Sequence, residues 1–205
     1  MTRATGADRL ADDLRERVLS GALGSGTPMR EEALAEEHGL SRHTVRRALE
    51  RLVAERLLVS EPFRGVRVTS FSDDDVIALQ QLRTALESEA VRLIRLDHGT
   101  QWPEAVTATL SSLAEAMGTA EHVEEAHAAF HRGLVASAGS ARITEAYARL
   151  DAEMLLFLRQ LRFHYDAPTL CREHGAYLAA VQHVGERAVR EHLEHSTEML
   201  LSARR

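Results

Sequence analysis

"LAEEHGLSRHTVRRALERLVAERLLVSEPFRGVRV", residues 34–68, holds the pattern from which the rest of the chain can be placed. Gly39 closes a short helix begun near Arg30, since glycine takes the left-handed conformation without steric cost. Ser41 is a good N-cap for the helix that follows at once. There Val45, Ala48, Leu49, Leu52 and Val53 recur at i, i+3, i+4, i+7 and i+8, the spacing of one buried face. His43, Arg47 and Glu50 point most directly away from that face, and Arg42 and Arg46 lie on its flank. Two helices joined by "HGLS" predict a helix-turn-helix, a motif whose second helix enters the DNA major groove. The β-prone runs "LLVS" and "VRVTS", joined by "EPFRG", predict a hairpin or wing with Arg64 and Arg67 near its tip and Gly65 allowing the tight turn. Upstream, Leu10, Leu14, Val18 and Leu19 predict a helix over Asp8–Ser20, and Ala33, Leu34 and Ala35 an inward face for the short helix. An arginine-rich helix face alone is often merely solvated. The succession helix, helix, turn, arginine helix, hairpin points instead to DNA, where the planar guanidinium fork can meet guanine O6 and N7 or grip phosphate.

The chain is acidic overall, which argues against nucleic acid as a partner, but a near-neutral N-terminal third with clustered arginines keeps that option open. The 205 residues carry a net charge of −6. Residues 1–70 hold 12 Arg against 11 Asp and Glu, whereas residues 71–205 hold 13 against 20. All 25 basic residues are arginine. Aromatics are 4%, so the core must be built from Leu, Val and Ala. No apolar run approaches the roughly 20 residues of a membrane span, and "MTRATGADRLADDL" lacks a signal region. The single Cys171 excludes an intrachain disulfide. These features together predict a cytoplasmic protein with no membrane partner.

After the linker "SFSDDDV" the pattern is helical to the end. Val76, Leu79, Leu82, Leu86 and Leu93 mark a long helix closed near Gly99. Further helices are expected from Pro103 to about Met117, Ala120 to Ala138, Ala141 to Tyr165, Pro168 to Gly185, and Glu186 to Ala203. The fold class is thus mostly α: a winged helix-turn-helix over residues 1–70, then an all-α six-helix bundle over 71–205.

The 34–68 stretch, with its "LSRHTVRRAL" core, resembles the winged helix-turn-helix of GntR-family bacterial transcription regulators. The resemblance implies that Ser41, Arg42, Thr44 and Arg46 contact DNA, with Arg46 on the family's base-reading arginine and Gly65 on its wing-tip glycine. An acidic residue often follows that arginine in the family; here it is Arg47. His43, Arg47 and Arg64 complete the expected DNA face. "LQQLRTALESEAVRLI" extends the resemblance to the FadR subfamily and its FCD effector domain, with Arg83 and Glu87 on the opening R-x-x-x-E pattern. Such regulators are generally homodimers, and a two-fold suits a pseudo-palindromic operator.

"HAAFH", residues 127–131, is then the candidate metal site. Residues i and i+4 share a helix face. The resemblance implies ligands at His127, His131, His174 and His192, with His127 standing where the family has Asp. An all-histidine set suits Zn²⁺, Ni²⁺ or Cu²⁺ better than Mg²⁺ or Ca²⁺. The short span between His174 and His192 leaves His183 and His195 as alternatives for the last ligand. Without a metal, the histidines would line an organic pocket or a plain helix surface. Arg83, Arg159 and Arg162 are candidates to pair with a carboxylate effector, or else are surface charge. The expected function is a ligand-responsive transcription regulator, bound to operator DNA and to a carboxylate metabolite. The competing readings are a constitutive DNA-binding protein whose bundle only dimerises, and a metal-dependent hydrolase.

Overall fold

The structure, a computed structural model, describes residues 4–116, 119–161 and 167–204. It divides into two compact units: Met1–Phe71 with Ala152–Gln160, and Ser72–Asp151 with Leu161–Arg205.

In the first unit, α1 (Gly6–Leu19), α2 (Glu31–His38) and α3 (Arg42–Ala54) precede β1 (Leu58–Glu61) and β2 (Gly65–Val68). Thr5 and Asp8 form a reciprocal capping box that satisfies free N–H groups at the start of α1. Gly39, at φ 61°, ends α2, and Ser41 caps α3 by accepting from the Thr44 amide. The α3 C-terminus closes differently. Arg56, at φ 58°, takes the left-handed place usual for glycine while Leu57 N–H donates to the Leu52 carbonyl. The strands pair antiparallel, Leu58 opposite Val68 and Glu61 opposite Gly65. Backbone bonds from Met29 to Val66 and from Val68 to Thr27 fasten the base of this hairpin. Leu10, Leu14, Val18, Val45, Leu49, Leu52, Leu57 and Val68 form the core. Of the face expected on α2, only Leu34 is buried; Ala33 is exposed and Ala35 half-buried, because an eight-residue helix presents barely one inward position per turn.

The second unit contains α4 (Asp73–His98), α5 (Glu104–Glu115), α6 (Ala120–Ala136), α8 (Ala167–Val184) and α9 (Glu186–Ser202), with the first half of α7 (Ala141–Leu161). Ser72 and Asp75 build a second capping box at the head of α4. Leu113, Ala116, Val123, Ala167 and Leu170 join α5, α6 and α8 in one apolar cluster. Gly133 lets α6 approach α5 closely: a Cβ there would meet the Thr109 methyl at 2.7 Å. The expected ends of two helices, at Met117 and Tyr165, lie outside the described residues.

The long helix closes at Gly99 as its spacing predicts, but its buried face is not the one its leucines alone would mark. Its buried stripe runs Val76, Leu79, Arg83, Glu87, Ala90, Val91, Ile94, through two charged residues. Leu82 is 47% exposed, and Leu86 and Leu93 are half-buried. Apolar spacing alone places the face wrongly here, because Arg83 and Glu87 are paired and so tolerate burial.

Candidate metal centre and DNA-binding face

His127 and His131 lie one turn apart on α6, and His174 reaches them from α8. Their Nε2 atoms form a small triangle: 3.0 Å between His127 and His174, and 3.2 Å from His131 to each of the others. His131 and His174 are each 2% exposed. Their outer nitrogens fix the tautomers. His131 Nδ1–H donates to Glu87 Oε2 at 3.0 Å, and His174 Nδ1–H donates to the Leu170 carbonyl at 2.7 Å. Both acceptors can only receive, so in the neutral rings both Nε2 atoms carry bare lone pairs. Two such lone pairs at 3.2 Å cannot hydrogen-bond to one another. A proton on His127 could serve only one of them.

This donor set fits a metal ion. Three nitrogens bound at roughly 2.0–2.1 Å to one octahedral or tetrahedral ion are about 2.8–3.4 Å apart, a range that contains the spacing found. Among the described residues, these three are the histidine cluster with ligand spacing. His192 from α9 stands beside them without joining. Its ring is stacked on Tyr177 at 4.3 Å, with its centroid 5.0 Å from that of His174. His195 is exposed and lines the same cavity, whereas His183 is exposed and does not.

Glu87 is completely buried and was weighed in the sequence only as part of a motif. It accepts from Arg83 at 3.0 Å, from the Tyr147 hydroxyl at 2.7 Å and from His131. Arg83 is 5% exposed, so it is not surface charge; it also donates to Gln80. The remaining effector candidates fare differently. Arg159 does not line the cavity, and its guanidinium donates to the Leu19 carbonyl in the first unit. Arg162 lies outside the described residues.

The cavity holds about 340 Å³. The histidines form part of its wall, with Tyr177, Ser196, Glu173 and Glu191 supplying polar groups and Leu170, Leu193 and Met199 apolar surface. The buried Tyr177 hydroxyl has no hydrogen-bond partner among the described residues. Sequence reasoning missed Tyr177 and Tyr147, since a lone tyrosine in a helical pattern carries no signal of its own.

On α3, Arg42, His43, Arg46 and Arg47 are exposed, and Thr44 is half-buried with its hydroxyl 2.8 Å from that of Ser41. Arg46 makes a two-pronged pair with Glu31 at 2.9 and 3.0 Å, and Arg42 pairs with Glu32. Arg64 pairs with Glu61 across the wing turn at 3.1 Å, while Arg67 is tied to the Gly26 carbonyl. Gly65, at φ 74°, sits in open space.

Comparison with known proteins decides the family. Residues 7–68 match the bacterial regulatory proteins of the gntR family, and residues 78–197 match the FCD domain. The chain belongs to the GntR family. An FCD domain behind the helix-turn-helix is the FadR arrangement. The chain is 32% identical over 200 residues to the uncharacterized HTH-type transcriptional regulator BphR of Paraburkholderia xenovorans, covering 91% of this chain and 82% of that one. It is 28% identical to the "Probable D-xylose utilization operon transcriptional repressor" of Paenarthrobacter nicotinovorans (99% and 90% covered). It is 27% identical to the gluconate operon transcriptional repressor of Bacillus subtilis (89% and 78%). Two solved structures share the fold. One is a GntR regulator from Rhodococcus sp. RHA1 (TM-score 0.77, 24% identity, 97% and 99% covered), the other E. coli McbR/YncC (0.68, 20%, 99% and 100%). This GntR-family chain is therefore a DNA-binding transcription regulator with an effector-binding C-terminal domain, not an enzyme, and the hydrolase reading falls. No helix among the described residues is long and apolar enough to cross a membrane.

Two outcomes follow from the buried groups. Glu87→Ala strands Arg83 without its carboxylate, so the variant should lose about 3–5 kcal/mol in denaturant unfolding; wild-type stability would show that Glu87 holds nothing. The second concerns pH. Burial, reinforced by neighbouring cationic groups, holds His127 and His131 well below the usual imidazole range, and burial brings His174 to about 4 and His192 to about 2. Unfolded imidazoles protonate near 6.5. Between 6.5 and about 4 the unfolded chain binds more protons, so stability falls as pH falls. Asp151, raised by burial to about 6, acts in the opposite sense, one group against four. Chelator-treated protein should therefore melt at progressively lower temperature from pH 7 to 4.5; a flat profile would contradict neutral burial of the cluster.

Proposed function

We propose that this regulator is a homodimer whose operator affinity is set by a small carboxylate bound at a divalent transition metal on His127, His131 and His174. The observation that carries this reading is the convergence of three histidine Nε2 atoms, two of them held as bare lone pairs, in the wall of a cavity large enough for a metabolite. When bound, a Zn²⁺ or Ni²⁺ ion would supply a Lewis-acidic anchor for an anionic occupant. The chain does the rest. Glu87 and the Leu170 carbonyl orient two of the imidazoles. Arg83 lines the cavity, but its guanidinium is committed to Glu87, Gln80 and Tyr147, which leaves the ion as the positive group for a carboxylate. His192, Tyr177 and Ser196 offer the neutral hydrogen bonds that hydroxyl groups on the occupant would use. Sugar-derived ligands are in keeping with this lining, and two relatives are named for D-xylose and gluconate operons. Binding alters operator affinity only as far as the occupant prefers one arrangement of the protein over another.

At the DNA, Arg46 would read a base edge and Ser41, Arg42, His43, Thr44, Arg47, Arg64 and Gly65 would position the helix and wing. A homodimer is supported by α4. Leu82, Leu86, Leu93 and Leu96 fall on one side of this helix, with Leu82 47% and Leu96 68% exposed, an apolar stripe suited to a symmetric partner. A soluble dimer of this kind would act in the cytoplasm.

Three measurements test the proposal. Purified protein refilled with Zn²⁺ or Ni²⁺ should hold about one ion per chain by elemental analysis, and His131→Ala should hold none while still binding DNA; a metal-free wild type would leave the cavity purely organic. Arg46→Ala should lose roughly 1–3 kcal/mol of specific binding with little loss on random DNA, and an equal loss on both would make Arg46 a phosphate contact. Leu82→Glu should shift the sedimenting species from dimer to monomer; an unchanged dimer would place the two-fold elsewhere.

A further inference from the structure

The wing carries a side chain that neither the fold nor the reading above uses. Phe63 is fully exposed, and its backbone is left-handed at φ 64°. The turn that holds it is closed by Arg64 N–H donating to the Glu61 carbonyl, with Pro62 second and Phe63 third. A turn with proline second and a positive φ third calls for glycine or asparagine at that place. Phenylalanine is unfavourable there twice over, since its Cβ strains the left-handed backbone and its ring lies in water. Among the described residues of the first unit no hydrogen bond or ring contact of the Phe63 side chain offsets either cost. The base of the hairpin is fastened to Thr27 and Met29, and Pro62, Phe63, Arg64 and Gly65 are all exposed at its tip.

We propose that Phe63 is an apolar DNA-contacting residue, entering the minor groove that flanks the major-groove site of α3. The inference rests on the reading of α3 and the wing as the DNA face. DNA is the occupant the position selects. Phe63 is followed by Arg64 and Gly65, a cation and a residue without a side chain, at the end of a two-stranded hairpin. The minor groove is about 6 Å wide, and apolar side chains carried into it pack on the sugars or wedge between base steps. Phe63 thereby adds a preference for flanking sequence that deforms easily, separate from the hydrogen-bond readout of α3.

The test uses full-length protein and duplexes that the wild type itself selects from a random library. Affinity is measured for wild type, Phe63→Gly, Phe63→Asn and Arg64→Ala over a range of salt, with hydroxyl-radical footprints on the selected duplex. Glycine and asparagine both accept the left-handed turn, so neither variant should melt below wild type. Both should bind at least fivefold more weakly, lose protection of the flanking deoxyriboses, and keep the wild-type salt slope, since no charge is removed. Arg64→Ala should instead flatten the slope by about one. Affinity within fivefold of wild type in both variants overturns the proposal, as does a changed sedimentation coefficient, which would assign the ring to a protein contact. If the wild type selects no duplex, the reading of the DNA face fails along with it; if it selects one and the Phe63 variants match it, only this inference fails.

Discussion

A carboxylate with no access to water governs the second unit. Glu87 is desolvated on every side, and a bare charge in that position would be prohibitively costly. It is tolerated because three donors from three helices converge on it: Arg83 one turn earlier on α4, Tyr147 on α7 and His131 on α6. The helices that bring them are thereby held in one register, since a shift of a single residue on α4 would remove both members of the Arg83–Glu87 pair. Such a network is weak evidence for stability, because well-packed apolar groups serve that end as well. Its consequence lies elsewhere, in the orientation it imposes on one imidazole.

That orientation makes the histidine cluster more than three adjacent rings. A histidine free to choose its tautomer could relieve a close Nε2–Nε2 approach by moving a proton. Glu87 denies this to His131, and the Leu170 carbonyl denies it to His174. Two of the three rings are therefore held with their Nε2 electron pairs facing inward, the arrangement in which outer hydrogen bonds raise ligand basicity and fix ring direction. Burial completes it by disfavouring the charged imidazolium. His192 lacks such an outer acceptor among the hydrogen bonds of the described residues, and its ring lies flat against Tyr177. It takes its place from stacking, and that separates it from the triad.

The sequence was most legible where local chemistry and burial agree. The glycine and serine around α2 and α3 and the stripe from Val45 to Leu52 each announce an element, and the structure has those elements there. Three of the four expected ligands come together. What could not be read was the partner of each charge. Arg83 in isolation is indistinguishable from a solvated arginine, and its burial follows only from Glu87 one turn on and from Tyr147, sixty residues beyond Glu87. The same blindness moved the α4 face. Leu82 looks like a core residue until the polar pair claims the inward side. Arg159 illustrates the converse, an apparently available cation whose partner is a backbone carbonyl at Leu19.

The arginines of the two units differ in a way that bears on how an acidic protein can use DNA. Arg83 is sealed among acceptors and has no freedom to leave them. Arg42 and Arg46 are held by Glu32 and Glu31 at the surface, where exchange of one anion for another costs little because water screens both states. The hydrogen bonds from Arg46 hold the Glu31 carboxyl below its ordinary range, so the pair stays ionised. In the proposed complex Glu31 discounts a phosphate contact by Arg46, since the carboxylate must first be displaced. A duplex that offers only phosphate gains little from the exchange, whereas one that presents a guanine edge returns two directed hydrogen bonds. With a net charge of −6 on the whole chain, long-range attraction adds no compensating non-specific affinity. In that proposed complex the acidic residues of α2 would therefore favour selectivity, lowering binding to all DNA and leaving the base contact as the term that decides between sites.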